Sequence, residues 1–380
     1  MSEVIFWSAV GAIVYAYGGY SLVIALLALV VRNPVRRADI TPSVTVLITA
    51  YNEERDIAQK LEGTLALDYP RELLEIIVAS DGSTDRTDEI VRGFESRGVR
   101  LIRVEGRVGK TGTQNEAVKH ARGDIIVFSD ATTTYDSQAL RKLVRNYADP
   151  RIGAVSGRYE YRNPSGAPIG LGTVLFWKYE NAIKSMQTRI WTITGCCGCI
   201  YSVRRSAYVP LPRDIISDLC QPLKILESGY RIAFEREAVA YEDALEESKG
   251  EFSMRVRVIT RGMNGLIYMR KLLNPLRTPF VAFQLVSHKW MRWLVPVFAV
   301  VALIANAMML GGSLFYDVTF GLQLAFYSLA LLAFLLEGRV RFPKVLGVPL
   351  YFVTVNLASI TAMRRVSKGI RATTWETVRR

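Results

Sequence analysis

The sequence predicts an α/β fold, a mostly parallel sheet with flanking helices, joined to an N-terminal transmembrane helix and to C-terminal transmembrane or interfacial helices. Three observations carry this prediction. Short β-branched runs alternate with amphipathic stretches between Thr41 and Pro150, an uncharged run extends from Val4 to Val31, and two charge-free runs, Trp293 to Tyr316 and Val318 to Leu336, follow later. With 380 residues, 50% of them hydrophobic, the chain can build one sizeable soluble domain and still spare several long apolar segments.

Taken in chain order, Val4–Val31 exceeds the ~20 apolar residues that cross a hydrocarbon core, and the basic cluster Arg32, Arg36 and Arg37 after it marks the cytoplasmic side. A cleaved signal peptide is disfavoured because the run is too long and no basic region precedes it. Val44–Thr49, Leu74–Ala79, Val99–Val104 and Ile125–Phe128 read as buried strands with helical patterns between them. Such alternation implies right-handed crossovers, with ligands gathered at the carboxyl ends of the strands. In the C-terminal part, Trp293–Tyr316 and Val318–Leu336 are separated only by Asp317 and predict a helical hairpin. His288, Lys289 and Arg292 flank one of its ends and Arg339, Arg341 and Lys344 the other, so both ends face inward. Leu346–Met363 is expected to lie in the interface or re-enter, because crossing would carry the basic tail Arg364–Arg380 outside.

Lys and Arg outnumber Asp and Glu by 48 to 35, a net charge of +13 that favours anionic partners. Nucleic acid is not expected among them: there is no aromatic-and-basic RNA motif, zinc-finger spacing or basic region with heptads. Membrane lipids are the better match to the charge. Cys196, Cys197, Cys199 and Cys220 are too close and too unevenly spaced for a secreted disulfide framework, and they lack the paired spacing of a zinc site. They read as reduced cytosolic thiols.

Polar residues follow three of the strands: Tyr51, Asn52 and Glu53 after the first, Ser80, Asp81, Gly82, Ser83 and Asp85 after the second, and Asp130 after the fourth. Asp81-Gly82-Ser83 alone is equally a turn whose Ser or Asp caps the next helix. Recurrence at three strand ends favours a binding role: carboxylates take the N–H and hydroxyl groups of a base or ribose, and Asp130 can hold a divalent cation on a diphosphate. Gly106–Thr111 is not a Walker loop, since its first glycine would fall at Val104, but Lys110 stays a candidate cation for a nucleotide.

These residues together resemble family 2 inverting glycosyltransferases of the GT-A fold, the group that includes hyaluronan, cellulose and bacterial exopolysaccharide synthases. Thr49-Ala50-Tyr51-Asn52-Glu53-Glu54 is similar to the family's opening nucleotide motif, and Ser80-Asp81-Gly82-Ser83-Thr84-Asp85 to its Asp-Asp-Gly-Ser signature. The resemblance implies that Ala50, Tyr51, Glu53 and Asp81 form the nucleotide site with Lys110 and Asp130. It further implies that Asp130 and Thr132 stand where the family has its metal-binding Asp-x-Asp, Thr132 replacing the second carboxylate. A magnesium or manganese ion is still expected, because one carboxylate with phosphate oxygens and waters makes an ordinary shell.

By the same resemblance, Asp218 in Ile216-Ser217-Asp218-Leu219 is the expected general base, with helix capping as its alternative role and Asp214 as the backup. Gly195, Cys196 and Cys197 are expected first as small packing residues and then as acceptor contacts. Arg257 and Arg261 lie four apart on one helical face and are expected to neutralise a leaving diphosphate. The processive synthases carry Gln-x-x-Arg-Trp; in the matching stretch Val258–Gly262 the Trp is missing.

The expected organisation is an anchor at 1–37 and a GT-A catalytic domain at 38–250, with a nucleotide-sugar half at 43–135 and an acceptor half at 136–250. Amphipathic or interfacial helices follow at 251–282, then the hairpin with its extra segment at 283–363 and a basic cytoplasmic tail at 364–380. The implied function is inverting transfer of a sugar from a nucleotide-diphosphate sugar, UDP-linked by preference, to a lipid-linked or saccharide acceptor at the cytoplasmic face of the plasma membrane. Two other readings remain: a non-catalytic nucleotide-sugar sensor or synthase subunit, and a processive synthase that needs oligomerisation or a partner subunit to export its product.

Overall fold

The Val-Thr-Val-Leu-Ile-Thr-Ala run of β1 (Val44–Ala50) is buried at every position, as a strand is when both faces of its sheet are covered. The computed structural model describes residues 1–164, 167–245, 247–337, 339, 346–371 and 373. β1 is flanked on both sides by parallel partners, β2 (Leu74–Ser80) and β4 (Ile125–Asp130), and β3 (Val99–Arg103) extends the sheet beyond β2. These four match the predicted strands to within two residues at each end.

β5 (Thr134–Tyr135), β6 (Ile152–Arg162), β7 (Ile200–Arg204) and β8 (Arg231–Asp243) complete a sheet ordered β3-β2-β1-β4-β7-β6-β8-β5. β7 runs antiparallel to both β4 and β6, while β6 and β8 are parallel. The reversal at β7 matters for the site: it brings Gly195–Cys199, which leads into β7, beside the carboxyl end of β4. One apolar core lies on each face, with Val46 and Ile48 pointing into the first and Leu47, Phe128 and Tyr201 into the second.

Among the described residues three helices are long and apolar enough to cross a membrane, Ser2–Val30, Pro279–Ala307 and Leu314–Leu336, which points to a membrane location. The predicted hairpin is present, but its turn is shifted: the break falls after Ala307, where Gly311 has φ 76° and Ser313 caps the next helix. Asp317, expected between the two helices, sits in the first turn of the second and accepts a 2.8 Å hydrogen bond from Gly311 N. A carboxylate there complements the helix N-terminus, so the charge starts a helix rather than separating two. Most of Leu346–Met363 lies in the helix Gly347–Ser367, which packs through Ala358 and Ala362 on Val256, Ile259 and Met263 of the helix Ser248–Tyr268. Arg341, Lys344 and residues 374–380 of the basic tail lie outside the described residues.

The segment linking the first helix to the domain is latched. Arg231 donates to Asn33 Oδ1 at 3.0 Å and to Asn33 O at 2.9 Å, Asn33 N reaches Arg189 O at 2.9 Å, and Arg36 N reaches Asp149 Oδ2 at 3.3 Å.

Candidate active site

The carboxyl ends of β1 and β4 open onto a cavity of about 710 Å³, with Thr49, Glu53, Lys110, Asp130, Thr132, Asp218, Arg257 and Arg261 on its wall. Asp130 ends β4 in register with Thr49 of β1, and its carboxylate is ion-paired with Lys110 at the start of the helix Lys110–Val118. Burial alone would lower the pKa of the Lys110 ammonium, but Asp130 outweighs it and holds the pKa above its ordinary value.

The remaining predicted nucleotide residues are placed differently. Ala50 is wholly buried and its carbonyl accepts from Asp81 N at 2.9 Å. Asp81 faces the Gly106–Lys110 loop rather than the cavity: its carboxylate accepts from Val108 N at 2.9 Å, Gly109 N at 3.0 Å and Thr113 Oγ1 at 2.9 Å. Its visible task is to shape the loop that presents Lys110, and Gly109, at φ 85°, supplies a backbone turn that most side chains disfavour. Tyr51 lies under the Arg107 guanidinium, 3.7 Å from its ring centroid. Asp85 accepts from Thr87 N at 3.0 Å just ahead of the helix Thr87–Arg92, whereas neither Asp81 nor Ser83 caps that helix.

Sequence reasoning missed Glu242. It lies on β8, lines the cavity, and its Oε1 accepts from Thr132 Oγ1 at 2.5 Å, so the hydroxyl that replaces a carboxylate in the Asp-x-Asp position leads to a carboxyl group 110 residues away. Burial pushes the Glu242 pKa up to about 8, and the Asp130 charge adds to the rise against the opposing pull of Thr132, Lys110 and Lys60. Lys60 lies below, donating to Thr133 O at 2.8 Å with its ammonium 4.0 Å from the Tyr135 ring centroid; burial pulls its pKa down to about 7. Nothing local in the sequence signals Glu242, because its partner belongs to another strand end.

Asp218 occupies the first turn of the helix Ser217–Glu227, and no side-chain hydrogen bond caps that helix. Its carboxyl group faces the cavity wall instead. A Cβ built on Gly198 would come within 2.7 Å of Asp218 Oδ2, so only glycine leaves room for the carboxylate there. Four residues into the helix from Asp218, Pro222 has no N–H to give the Asp218 carbonyl, and that carbonyl accepts from Cys196 N at 2.8 Å. The proline thus frees the acceptor that docks the Gly195–Cys199 loop beside Asp218. Burial raises the pKa of Asp218, and Asp130 adds to this, overcoming Lys110 and Arg261.

Gly195 and Cys196 line the cavity; Cys197 is buried and accepts from Lys184 Nζ at 3.1 Å. All four thiols are free and buried. Arg261 is buried and donates to Thr111 Oγ1 at 3.1 Å and Ile215 O at 2.9 Å, tying the Ser248–Tyr268 helix to the Lys110 loop. Asp214 pairs with Arg371 at 2.9 Å and is not on the cavity wall. An aromatic ring from another helix lies against the Val258–Gly262 stretch: Trp293 lines the cavity, and a Cβ on Gly262 would meet its ring at 3.2 Å.

Residues 45–209 match the model of glycosyl transferase family 2. That stretch of the chain is similar to the family. The chain is 28% identical over 253 residues to the poly-β-1,6-N-acetyl-D-glucosamine synthase of Staphylococcus aureus strain COL, a match covering 65% of this chain and 60% of the synthase. The synthase of Staphylococcus epidermidis matches at 28% over 220 residues, covering 56% of this chain and 53% of its own. This chain therefore spans less than two thirds of the length of these curated relatives. A mannosyltransferase from Pyrobaculum calidifontis, solved with GDP-Man and Mn2+, superposes with a TM-score of 0.74 over 96% of this chain and 98% of its own at 23% identity, which shows a shared GT-A-like fold.

Among the described residues no group of three or more His, Cys, Asp or Glu side chains is placed to hold a metal. Asp130, the one carboxylate at the Asp-x-Asp position, suits a cation that takes most of its oxygens from a diphosphate rather than from the protein alone, with Lys110 free to turn to the same diphosphate.

Proposed function

We propose that this chain is an inverting glycosyltransferase that moves a sugar from a nucleotide-diphosphate sugar to a lipid-linked or saccharide acceptor at the cytoplasmic face of the membrane. One observation carries the reading: a single cavity joins Asp130 and Lys110 to a buried carboxyl group at Asp218 and continues to walls contributed by the membrane-side helices. Asp218 takes the acceptor hydroxyl proton as the acceptor oxygen bonds to the anomeric carbon; the bond from that carbon to the diphosphate breaks, and its electron pair leaves with the diphosphate. Its raised pKa suits this role, because a stronger base accepts the proton more readily. Lys110, Arg257 and Arg261 stabilise the departing charge. A divalent cation held by Asp130, with Thr132 beside it, supplies Lewis-acid neutralisation of the diphosphate when bound.

UDP-N-acetylglucosamine is the first donor to test, since relatives are named for a polymer of N-acetylglucosamine, followed by other UDP-sugars and by GDP-sugars. The position of Trp293 against Gly262 favours a sugar-stacking surface, which keeps a processive synthase as the second reading. Nucleotide release by full-length protein in detergent, with manganese or magnesium and membrane lipid, tests the proposal. Lipid-stimulated release by wild type that is lost in Asp218→Asn supports it; release undiminished in that variant removes Asp218 as base. Donor binding without release under any condition favours the sensor reading.

A further inference from the structure

Towards the membrane helices, the cavity wall is rich in cations. Lys184, Lys289 and Arg292 all line it, together with the carboxylate Glu180. Arg292 is ion-paired with Glu180, and His288 Nε2 lies 3.1 Å from the same Oε1. With His288 counted as neutral, three positive charges face Glu180 and, further along the same wall, Asp218, and among the described residues Lys289 has no carboxylate within ion-pairing distance. Buried charge of one sign is expensive without a counter-ion.

The simplest alternative is that these cations snorkel to lipid headgroups beside a membrane helix. The burial of two of them opposes it: Lys184 is 6% exposed and the Arg292 side chain 13%, while Lys289 is half-buried. The backbone adds an independent observation. Lys289 projects from a π-helical turn, Leu285–Trp290, and a second π-turn, Tyr15–Gly19, meets it through a 2.7 Å hydrogen bond between the Tyr15 hydroxyl and Ser287 Oγ. Widened turns of this kind occur mostly at functional sites.

Beyond these cations, the wall is mostly apolar, with Leu175, Phe176, Trp293, Val348, Phe352 and Val355, and the charge of Arg255 beside Phe176 is paired with Glu251. Arg292 stands over Phe176, 5.4 Å from its ring centroid, at the seam between the charged and apolar parts. Charge on one side and hydrocarbon on the other match a phosphate joined to a lipid tail better than a free phosphate.

We propose that Lys184, Lys289 and Arg292 form an anion subsite for the phosphate of a lipid-linked saccharide acceptor, whose sugar hydroxyl reaches Asp218 and whose hydrocarbon lies along the apolar wall. This deepens the glycosyltransferase reading and rests on it for the word acceptor; the binding itself does not. Glu180 is a positioning residue that aims Arg292 and His288.

The test is equilibrium binding to the full-length protein in dodecyl maltoside, with farnesyl phosphate, farnesol, inorganic phosphate and UDP or GDP as probes. Farnesyl phosphate should bind at least about tenfold more tightly than farnesol or inorganic phosphate, and Lys289→Gln should weaken it about tenfold, the worth of one charge-assisted hydrogen bond. Nucleotide affinity should be unchanged in that variant. Equal binding of farnesol removes the anion subsite, and equal binding of inorganic phosphate removes the lipid as its source. A Lys289→Gln loss confined to UDP or GDP assigns the cations to the nucleotide and overturns the proposal. If Lys289→Gln does not give monodisperse protein, Lys184→Gln replaces it with the same expectations. Farnesyl phosphate binding that fails while nucleotide release persists sinks only this subsite; Lys289-dependent binding without nucleotide release leaves the subsite and sinks the transferase.

Discussion

The two ends of the cavity are built in contrasting ways. Apart from Glu242 of β8, the end at Asp130 comes from consecutive strand–loop units between β1 and β4, where each polar group follows its own strand. The end at Arg292 brings together side chains from the helices Pro168–Ile190, Ser248–Tyr268, Pro279–Ala307 and Gly347–Ser367, with Asp218 and Gly198 at the junction. Local motifs describe the first end well, while packing between distant segments creates the second.

Substitutions at the junction test this division most severely. Asp218→Asn should lower kcat by ~10²–10⁴, the usual range for a lost general base, with donor affinity retained. Gly198→Ala forces a methyl group against Asp218 Oδ2 and should cost about 10² in kcat, the scale expected for a displacement of ~1 Å. A normal rate in Gly198→Ala would show that the carboxylate position is not critical. Trp293→Ala should raise the acceptor KM by about tenfold while leaving donor KM unaltered, which separates the two ends kinetically.

Glu242 gives a pH-dependent comparison. Its folded pKa of about 8 lies above the ordinary glutamate value of 4.5, so the protonated form is favoured by folding. That contribution is fully present below about pH 4.5 and is lost as pH rises towards 8. The apparent Tm of wild type, measured against Glu242→Gln, should therefore decline between pH 5 and 8; a constant difference across that window would contradict the burial argument. The smallest effect is expected for Pro222→Ala. Restoring an N–H offers the Asp218 carbonyl a helical partner in competition with Cys196 N, worth ~1 kcal/mol and a few-fold in rate.

The four parallel strands were legible because continuous β-branched runs such as Val-Thr-Val-Leu-Ile have few alternatives, and Asp130 and Lys110 were legible because they sit in short motifs at strand ends. β6 was not, since Gly153 and Gly157 interrupt its apolar pattern and its stability comes from partners far along the chain. The position of Asp81 was not legible either: a motif identifies a carboxylate but not which of two neighbouring spaces it faces, and here backbone N–H groups of the Lys110 loop draw it inward. Glu242 and Trp293 lie outside the motifs, and only the tertiary structure relates Thr132 to the one and Gly262 to the other.

The Arg231–Asn33 latch has a consequence for reach. A loose tether would let the catalytic domain tilt and sample acceptors at many heights, but four hydrogen bonds grip Asn33 and Arg36 immediately after the first helix. With the first helix in a bilayer, these bonds would act as a ruler that fixes the height of the cavity above it, and on the proposed reading an acceptor presents its reacting group at that height.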